Sequence, residues 1–198
     1  MNIEDLIPNE PKQKRSKARY KEILDTVENI IASEGLYSVT IKNVSKFSES
    51  KRPSIYKLFP SNESLFYGLS LRHIEKFTEL YRHNTEKAKV KEIEWYLNVF
   101  VDLLSIYLNQ NKSCANLFFY LNTFPKARGI SQQNKRLLAT NIFEIVNKKK
   151  IEVDSEKIYI SCQISLSLLA TGFNEENLIS PRYLNETKKA VSAYLATN

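Results

Sequence analysis

The sequence predicts an all-α protein with an N-terminal three-helix helix-turn-helix domain followed by a larger helical domain. Only four glycines and six prolines occur in 198 residues, so long stretches lack helix breakers. Apolar residues recur at helical spacing, and no alternating strand pattern persists. We expect residues 1–11 to form a flexible N-terminus, residues 12–60 the helix-turn-helix domain, and residues 61–198 the second domain.

A first helix is predicted ahead of Gly35, which is expected to end it in a left-handed conformation. Its apolar stripe consists of Ile23, Leu24, Val27, Ile30 and Ile31. We expect a flexible basic arm to precede this helix, formed by Lys12, Lys14, Arg15, Lys17 and Arg19. Such an arm would follow phosphates or a minor groove, and a solubilising tail is the alternative.

A second helix is expected to start at Thr40, whose hydroxyl suits the free amides of a first helical turn. Val39, just before this cap, and Val44, four residues after it, are placed as a hydrophobic staple.

A third helix is expected to start at about Lys51 or Arg52, because Pro53 is tolerated only in a first helical turn. Ile55 and Phe59 then face inward, Pro60 ends the helix, and Ser61 caps the next one. The remaining helices are predicted at about residues 61–85, 91–110, 113–123, 131–148, 154–173 and 181–196.

The segment from Thr40 to Phe66 resembles the DNA-binding domain of the TetR family of bacterial transcriptional regulators. The residues that carry the resemblance are Thr40, Val44, Ser45, Ser54, Ile55, Tyr56, Phe59, Glu63 and Leu65. The resemblance covers about residues 12–70. It implies a homodimeric regulator, most often a repressor, that binds a palindromic DNA operator and is released by a small molecule.

The turn between the second and third helices departs from this family pattern, because Ser48, Glu49, Ser50 and Lys51 stand where Ala-Gly-Val-Ser is usual. A Glu at a positive backbone angle would cost about 1 kcal/mol. The start and pitch of the third helix are therefore left open. A TetR-like protein-binding adaptor with weak DNA affinity is the alternative function.

Eight residues are candidates for DNA contact: Thr40, Lys42, Lys51, Arg52, Pro53, Ser54, Tyr56 and Lys57. Arg52 is the expected base reader, since its guanidinium matches guanine O6 and N7. Pro53 and Ser54 suit a thymine methyl or a phosphate. The family position of Tyr56 and Thr40 implies phosphate contacts, although Tyr56 could instead pack against the first helix. The three lysines are phosphate candidates because of their charge.

The charge distribution agrees with this interpretation. The chain has a net charge of +7, and residues 11–60 hold 11 basic and 5 acidic side chains, a surplus of six. Such a surplus suits a polyanion, and a solvated basic surface is the alternative.

The second domain is rich in aromatic residues, most of which must form its core. The resemblance implies an effector cavity there, for which we select five lining residues: Trp95, Tyr96, Phe100, Phe118 and Phe119. Their character favours a small hydrophobic or aromatic effector, with a partner protein or no ligand as alternatives.

The last two predicted helices have apolar faces that suit self-association. Their residues are Ile160, Ile164, Leu168 and Leu169, followed by Leu184, Thr187, Val191, Tyr194 and Leu195. A two-fold four-helix interface is implied by the resemblance, and closure of the monomer core is the alternative.

Nothing in the sequence predicts an enzyme, a cofactor or a metal site. His73 and His83 are ten residues apart, which is not a metal-ligand spacing, and the four glycines are too scattered to form a phosphate loop. Cys114 and Cys162 are expected to be core thiols. We expect a cytoplasmic protein without a signal peptide, because the N-terminus holds Glu4 and Asp5 and no long apolar core. We expect no membrane partner, because no apolar run reaches about 18 residues.

Overall fold

The computed structural model describes residues 6–197, and within this range all regular secondary structure is helical. Nine α-helices run along the described chain: α1 (Lys14–Glu34), α2 (Ile41–Phe47), α3 (Arg52–Leu58), α4 (Asn62–Thr85), α5 (Ile93–Gln110), α6 (Lys112–Tyr120), α7 (Arg128–Asn147), α8 (Ser155–Glu176) and α9 (Pro181–Leu195). The predicted all-α class is confirmed. Residues 1–5 of the predicted flexible N-terminus lie outside the described residues.

Three helix ends lie three residues from the predicted positions, and one of them is the start of α7 at Arg128 instead of about residue 131. α6 stops at Tyr120 because residues Leu121–Thr123 tighten into a 3₁₀ turn ahead of Pro125. α8 continues three residues past the predicted end to Glu176, where Asn177 takes a left-handed backbone conformation and terminates it.

The first helix buries the predicted apolar stripe and ends at Gly35, whose amide donates to the Ile31 carbonyl over 3.1 Å. Gly35 has φ +83° and ψ 172°. This is a positive-φ conformation with an extended ψ rather than the expected left-handed helical one, and it is essentially restricted to glycine. The helix begins at Lys14, so most of the predicted basic arm belongs to α1 instead of preceding it.

The chain forms two compact units, and the first comprises the residues up to His73 together with Lys112–Ser131. This division differs from the predicted boundaries of 12–60 and 61–198. The physical reason is burial, since Leu117, Leu121, Ala127 and Ile130 share one hydrophobic cluster with the apolar residues of α1 to α4.

The second unit comprises Ile74–Asn111 and the residues from Gln132 onward. α8 packs along α9, and both contact α5. Aromatic side chains fill much of the core, with the Phe100 ring meeting the rings of Phe77 and Tyr81 edge to face at 5.7 and 6.3 Å between centroids. Across residues 6–197, no helix combines the length and apolar composition needed to span a bilayer.

Candidate nucleic-acid interface

The second helix begins where the cap at Thr40 predicts. The Thr40 hydroxyl oxygen accepts a hydrogen bond from the Asn43 amide over 3.1 Å, and Asn62 Oδ1 accepts one from the Ile41 amide over 2.9 Å. Val39 and Val44 are both buried, as the staple requires. Because Thr40 Oγ1 acts as an acceptor in the cap, its own hydrogen is left to donate to an external group such as a phosphate.

The atypical turn is stabilised by a carboxylate from α1. Glu22 Oε1 accepts from the Glu49 amide over 3.0 Å, and Glu22 Oε2 accepts from the Ser50 hydroxyl over 3.0 Å. Ser48 Oγ also accepts from the Ser50 amide over 3.2 Å. Glu49 is not among the described residues with positive φ, so the strain considered for this position is absent. The third helix starts at Arg52, with Lys51 at its N-cap.

The other end of α3 is held by the residues that precede α1. The Asn9 amide nitrogen donates to the Leu58 carbonyl over 2.8 Å, and Asn9 Nδ2 donates to the Lys57 carbonyl over 2.9 Å. These bonds satisfy two carbonyls at the end of the helix. Phe59 is fully buried and stacks on Tyr20, with ring centroids 4.6 Å apart. Within the predicted flexible N-terminus, Asn9 thus has a defined place.

The outer surface of α3 presents most of the predicted DNA-contact residues to solvent. Lys51, Arg52, Pro53, Tyr56 and Lys57 are exposed, and Ser54 is half-buried. The inward side carries Ile55 and Leu58, both buried. Tyr56 has 52% of its surface exposed, which favours an external contact over packing against α1.

The basic side chains of this surface carry uncompensated charge. Among residues 6–197, no carboxylate lies within ion-pair distance of Lys42, Lys51, Arg52 or Lys57. Cations that form no internal ion pair can bind a polyanion without first breaking one. The surface therefore suits a phosphate backbone.

A cluster of polar and charged side chains links α1 with α4 and also with α6. Arg72 contacts Asp25 and Glu28 at 2.5 Å each, and His73 Nε2 lies 3.2 Å from Glu28 Oε1. The Ser113 hydroxyl donates to the same oxygen over 3.2 Å. The hydrogen bond from His73, ahead of the charges of His73 and Arg72, lowers the pKa of Glu28 from 4.5 to about 2 against the effect of desolvation. His73 is thus a buried histidine with a structural partner.

Sequence reasoning missed Asn9 and Glu22, the two side chains that hold the ends of α3. Glu22 is 27 residues from Glu49 along the chain, and no local pattern links them. Two exposed aromatic residues of the first unit were also missed. Tyr37 is 80% exposed with its ring 4.6 Å from that of Phe124, and Phe47 is 52% exposed beneath the Lys46 ammonium. The available sequence signal was the position of Tyr37, two residues after Gly35, which ends the first helix.

The five residues selected for an effector cavity are divided between the two units. Trp95, Tyr96 and Phe100 lie on α5 in the second unit, whereas Phe118 and Phe119 lie on α6 in the first. Tyr96 and Phe100 are fully buried, and the Tyr96 hydroxyl donates to the Val90 carbonyl over 3.2 Å. Trp95 is only partly buried, with its ring 4.9 Å from that of Tyr96.

Surface cavities of moderate size occur in the second unit. One of about 340 Å³ lies between α7 and α8, where the Arg136 guanidinium stacks on the Tyr159 ring at 4.3 Å. Another, of about 260 Å³, is lined by residues that include Arg82, Glu86 and Lys149. None of the five selected aromatic residues lines either cavity. No group of three or more potential metal ligands occurs within the described range.

No protein-family model matches the sequence, and no curated protein matches it significantly. Several solved structures, in contrast, have a fold similar to that of this chain. A TetR-family transcriptional regulator from Syntrophomonas wolfei superposes with a TM-score of 0.72 at 13% identity, over 92% of this chain and 97% of that one. A TetR-family regulator from Streptomyces coelicolor gives 0.68 at 14% identity, over 89% and 97%. A transcriptional regulator from Saccharomonospora viridis in complex with choline gives 0.62 at 13%, over 92% and 97%. The chain therefore has the fold of the TetR family of transcriptional regulators.

Proposed function

We propose that this protein is a transcriptional regulator that binds double-stranded DNA through α3. The observation that carries the proposal is the exposed, uncompensated basic surface of a short helix whose two ends are fixed by Glu22 and Asn9. A fixed helix with free cations can enter a major groove without reorganising, and such helices read base edges in helix-turn-helix proteins.

The contact roles follow from side-chain chemistry. Arg52 and Tyr56 are one helical turn apart, so base reading by Arg52 and a phosphate bond from the Tyr56 hydroxyl are compatible on one face. Lys42, Lys51 and Lys57 neutralise phosphates, and Thr40 donates its free hydrogen to one. Pro53 and Ser54 meet a thymine methyl or a phosphate.

We propose a homodimer that assembles through α8 and α9. Six apolar residues on the predicted faces of these helices stay only half-buried in the single chain: Ile160, Ile164, Leu168, Leu184, Tyr194 and Leu195. Leu169, Thr187 and Val191 are buried by the monomer itself. A partly covered apolar stripe on adjacent helices favours pairing with a second copy, and two-fold symmetry then requires a near-palindromic operator.

We also propose that the protein is a repressor released by a small hydrophobic or aromatic effector bound in the second domain. The fold neighbour from Saccharomonospora viridis binds a small molecule, choline, which supports an effector site in general. The aromatic residues Trp95, Tyr96 and Phe100 of the second unit favour a hydrophobic or aromatic effector, whereas Phe118 and Phe119 belong to the first unit and do not support this site. An effector of this kind acts only if it binds better to the dimer shape that fits DNA poorly.

The test is selection of duplexes from a random-sequence pool by the purified protein, followed by gel-shift titration of the selected duplex. We expect binding to weaken by roughly 10³-fold or more between 50 and 200 mM salt if six or more phosphates are neutralised. Failure to enrich any duplex, or an affinity that ignores salt, would contradict the proposal and favour the protein-binding adaptor.

A further inference from the structure

The turn between α2 and α3 contains a largely buried polar side chain. Ser50 is only 6% exposed. It occupies the position at which the TetR family, which this segment resembles, usually has a buried valine. A buried hydroxyl without a partner is costly, so Ser50 needs an acceptor inside the protein. The backbone amide of Glu49 beside it also lacks a helical acceptor, because α2 ends at Phe47.

Glu22 meets both requirements from one position on α1. Its two carboxylate oxygens are used separately, one by the Glu49 amide and the other by the Ser50 hydroxyl. A carboxylate that accepts two bonds at 3.0 Å from adjacent residues fixes direction as well as distance. Since Lys51 follows immediately as the N-cap of α3, this pair of bonds determines where the third helix starts relative to α1.

We infer that Glu22 is a positioning residue for DNA recognition, which holds the reading helix at the angle that sequence discrimination requires. The inference rests on the proposed function. In this protein a carboxylate and a buried serine would position α3, as a glycine-containing apolar turn would otherwise do. Discrimination between DNA sequences should then depend on Glu22 even though Glu22 does not touch DNA.

The sign of the effect separates this role from simple electrostatics. Glu22 is an anion in the unit that binds a polyanion, so removing its charge alone should strengthen binding to every duplex. Removing the two hydrogen bonds should instead weaken binding to the selected duplex, whose contacts need a defined helix orientation. Non-specific affinity depends on charge and should stay equal or rise.

The experiment compares Glu22→Ala with Glu34→Ala on two duplexes of equal length and base composition, one selected by the unaltered protein and one unrelated. Glu34 is an exposed acid at the end of the same helix, so its removal changes the net charge equally without touching the turn. For Glu22→Ala we expect affinity for the selected duplex to fall about 10- to 100-fold, in line with the loss of hydrogen bonds to a charged group. The ratio of selected to unrelated affinity should fall by at least as much.

Glu34→Ala should leave that ratio unchanged. Ser50→Ala, which keeps the Glu49 bond, should give a smaller loss, and the double variant should resemble Glu22→Ala. If circular dichroism shows that Glu22→Ala does not fold, the ratio of selected to unrelated affinity for Ser50→Ala tests the inference instead. An unchanged ratio in a folded Glu22→Ala or Ser50→Ala variant would overturn the inference, whereas absence of any selected duplex would overturn the proposed function instead.

Discussion

Arg52 and Lys57 are both exposed on α3 but are expected to contribute to DNA binding in different ways. Replacing Arg52 by Ala should cost about 1–3 kcal/mol on the selected duplex and relax the preference at one base pair in each half-site. Lys57→Ala should weaken all duplexes alike, because a phosphate contact carries no base information. Titrations against the selected duplex and its single-base variants measure both effects. An equal loss on selected and random DNA for Arg52→Ala would remove it as a base reader.

Gly68 provides a stability prediction at a point of close approach behind α3. A Cβ at this position would lie 2.9 Å from both the Phe59 ring and the Tyr20 hydroxyl, and 3.3 Å from Pro8. Gly68→Ala should therefore lower the free energy of unfolding by about 1–3 kcal/mol through overpacking, which exceeds the helix-propensity gain of at most about 1 kcal/mol.

Gly129 is the matched control, because it also lies in a helix and a Cβ there would meet nothing within 4 Å. Gly129→Ala should raise stability by less than about 1 kcal/mol, because Gly129 lies in the first turn of α7 and not in the helix interior. Urea titrations of both variants give the two signs. A stabilised Gly68→Ala protein would mean that Tyr20 moves aside at little cost.

At the scale of elements, α1, α4 and α6 are joined by the carboxylate of Glu28. The partners of Glu28 lower its pKa from 4.5 to about 2 in the folded protein. A depressed carboxyl pKa adds stability that is complete above the unfolded value and is lost as the pH falls through the folded one. Stability should therefore decline between about pH 4.5 and pH 2.

Glu28→Gln should remove this part of the acid dependence and lower stability at neutral pH, since Arg72 and His73 then lose an anionic partner. Denaturant titrations at several pH values measure the slope. Glu34→Gln, at the exposed end of the same helix, is the control and should leave the slope unchanged. Parallel pH profiles for Glu28→Gln and the unaltered protein would contradict the assignment.

Most helices could be predicted because their signals are local. The Thr40 cap, the Val39 and Val44 staple and the first-turn position of Pro53 act over a few residues, and each element starts where they indicate. The bonds of Glu22 and Asn9 join residues 27 to 49 positions apart, and sequence periodicity carries no signal over that range. The grouping of Lys112–Ser131 with the N-terminal residues is likewise a tertiary feature, since it depends on burial of Leu117 and Leu121 against residues far away in the sequence.

At the scale of the whole molecule, assembly is predicted to depend on the half-buried faces of α8 and α9. Placing Asp at both Leu168 and Leu195 should give folded monomers, because two charges on each copy would have to be desolvated at the interface. These monomers should also bind DNA more weakly than the unaltered protein, since one copy contacts only one half-site. Sedimentation and gel shift measure the two outcomes.

Leu137→Asp is the control for added charge, because Leu137 is 37% exposed on α7 and belongs to neither face. It should remain dimeric. An intact dimer from the double variant would place the interface elsewhere on the surface.

The effector proposal leads to the last prediction, which uses Trp95, the single tryptophan of the chain. Because only a differential affinity for two dimer shapes can couple the sites, an effector must lower DNA affinity by the same factor by which DNA lowers effector affinity. A screen of hydrophobic and aromatic compounds should yield some that change Trp95 emission, raise the melting temperature and dissociate the selected duplex at matching concentrations. In Trp95→Phe the thermal shift should weaken if the Trp95 ring contacts the effector, and an unchanged thermal shift would make Trp95 a reporter only. Compounds that stabilise the protein and leave DNA binding untouched would contradict the coupling and assign the aromatic residues to packing.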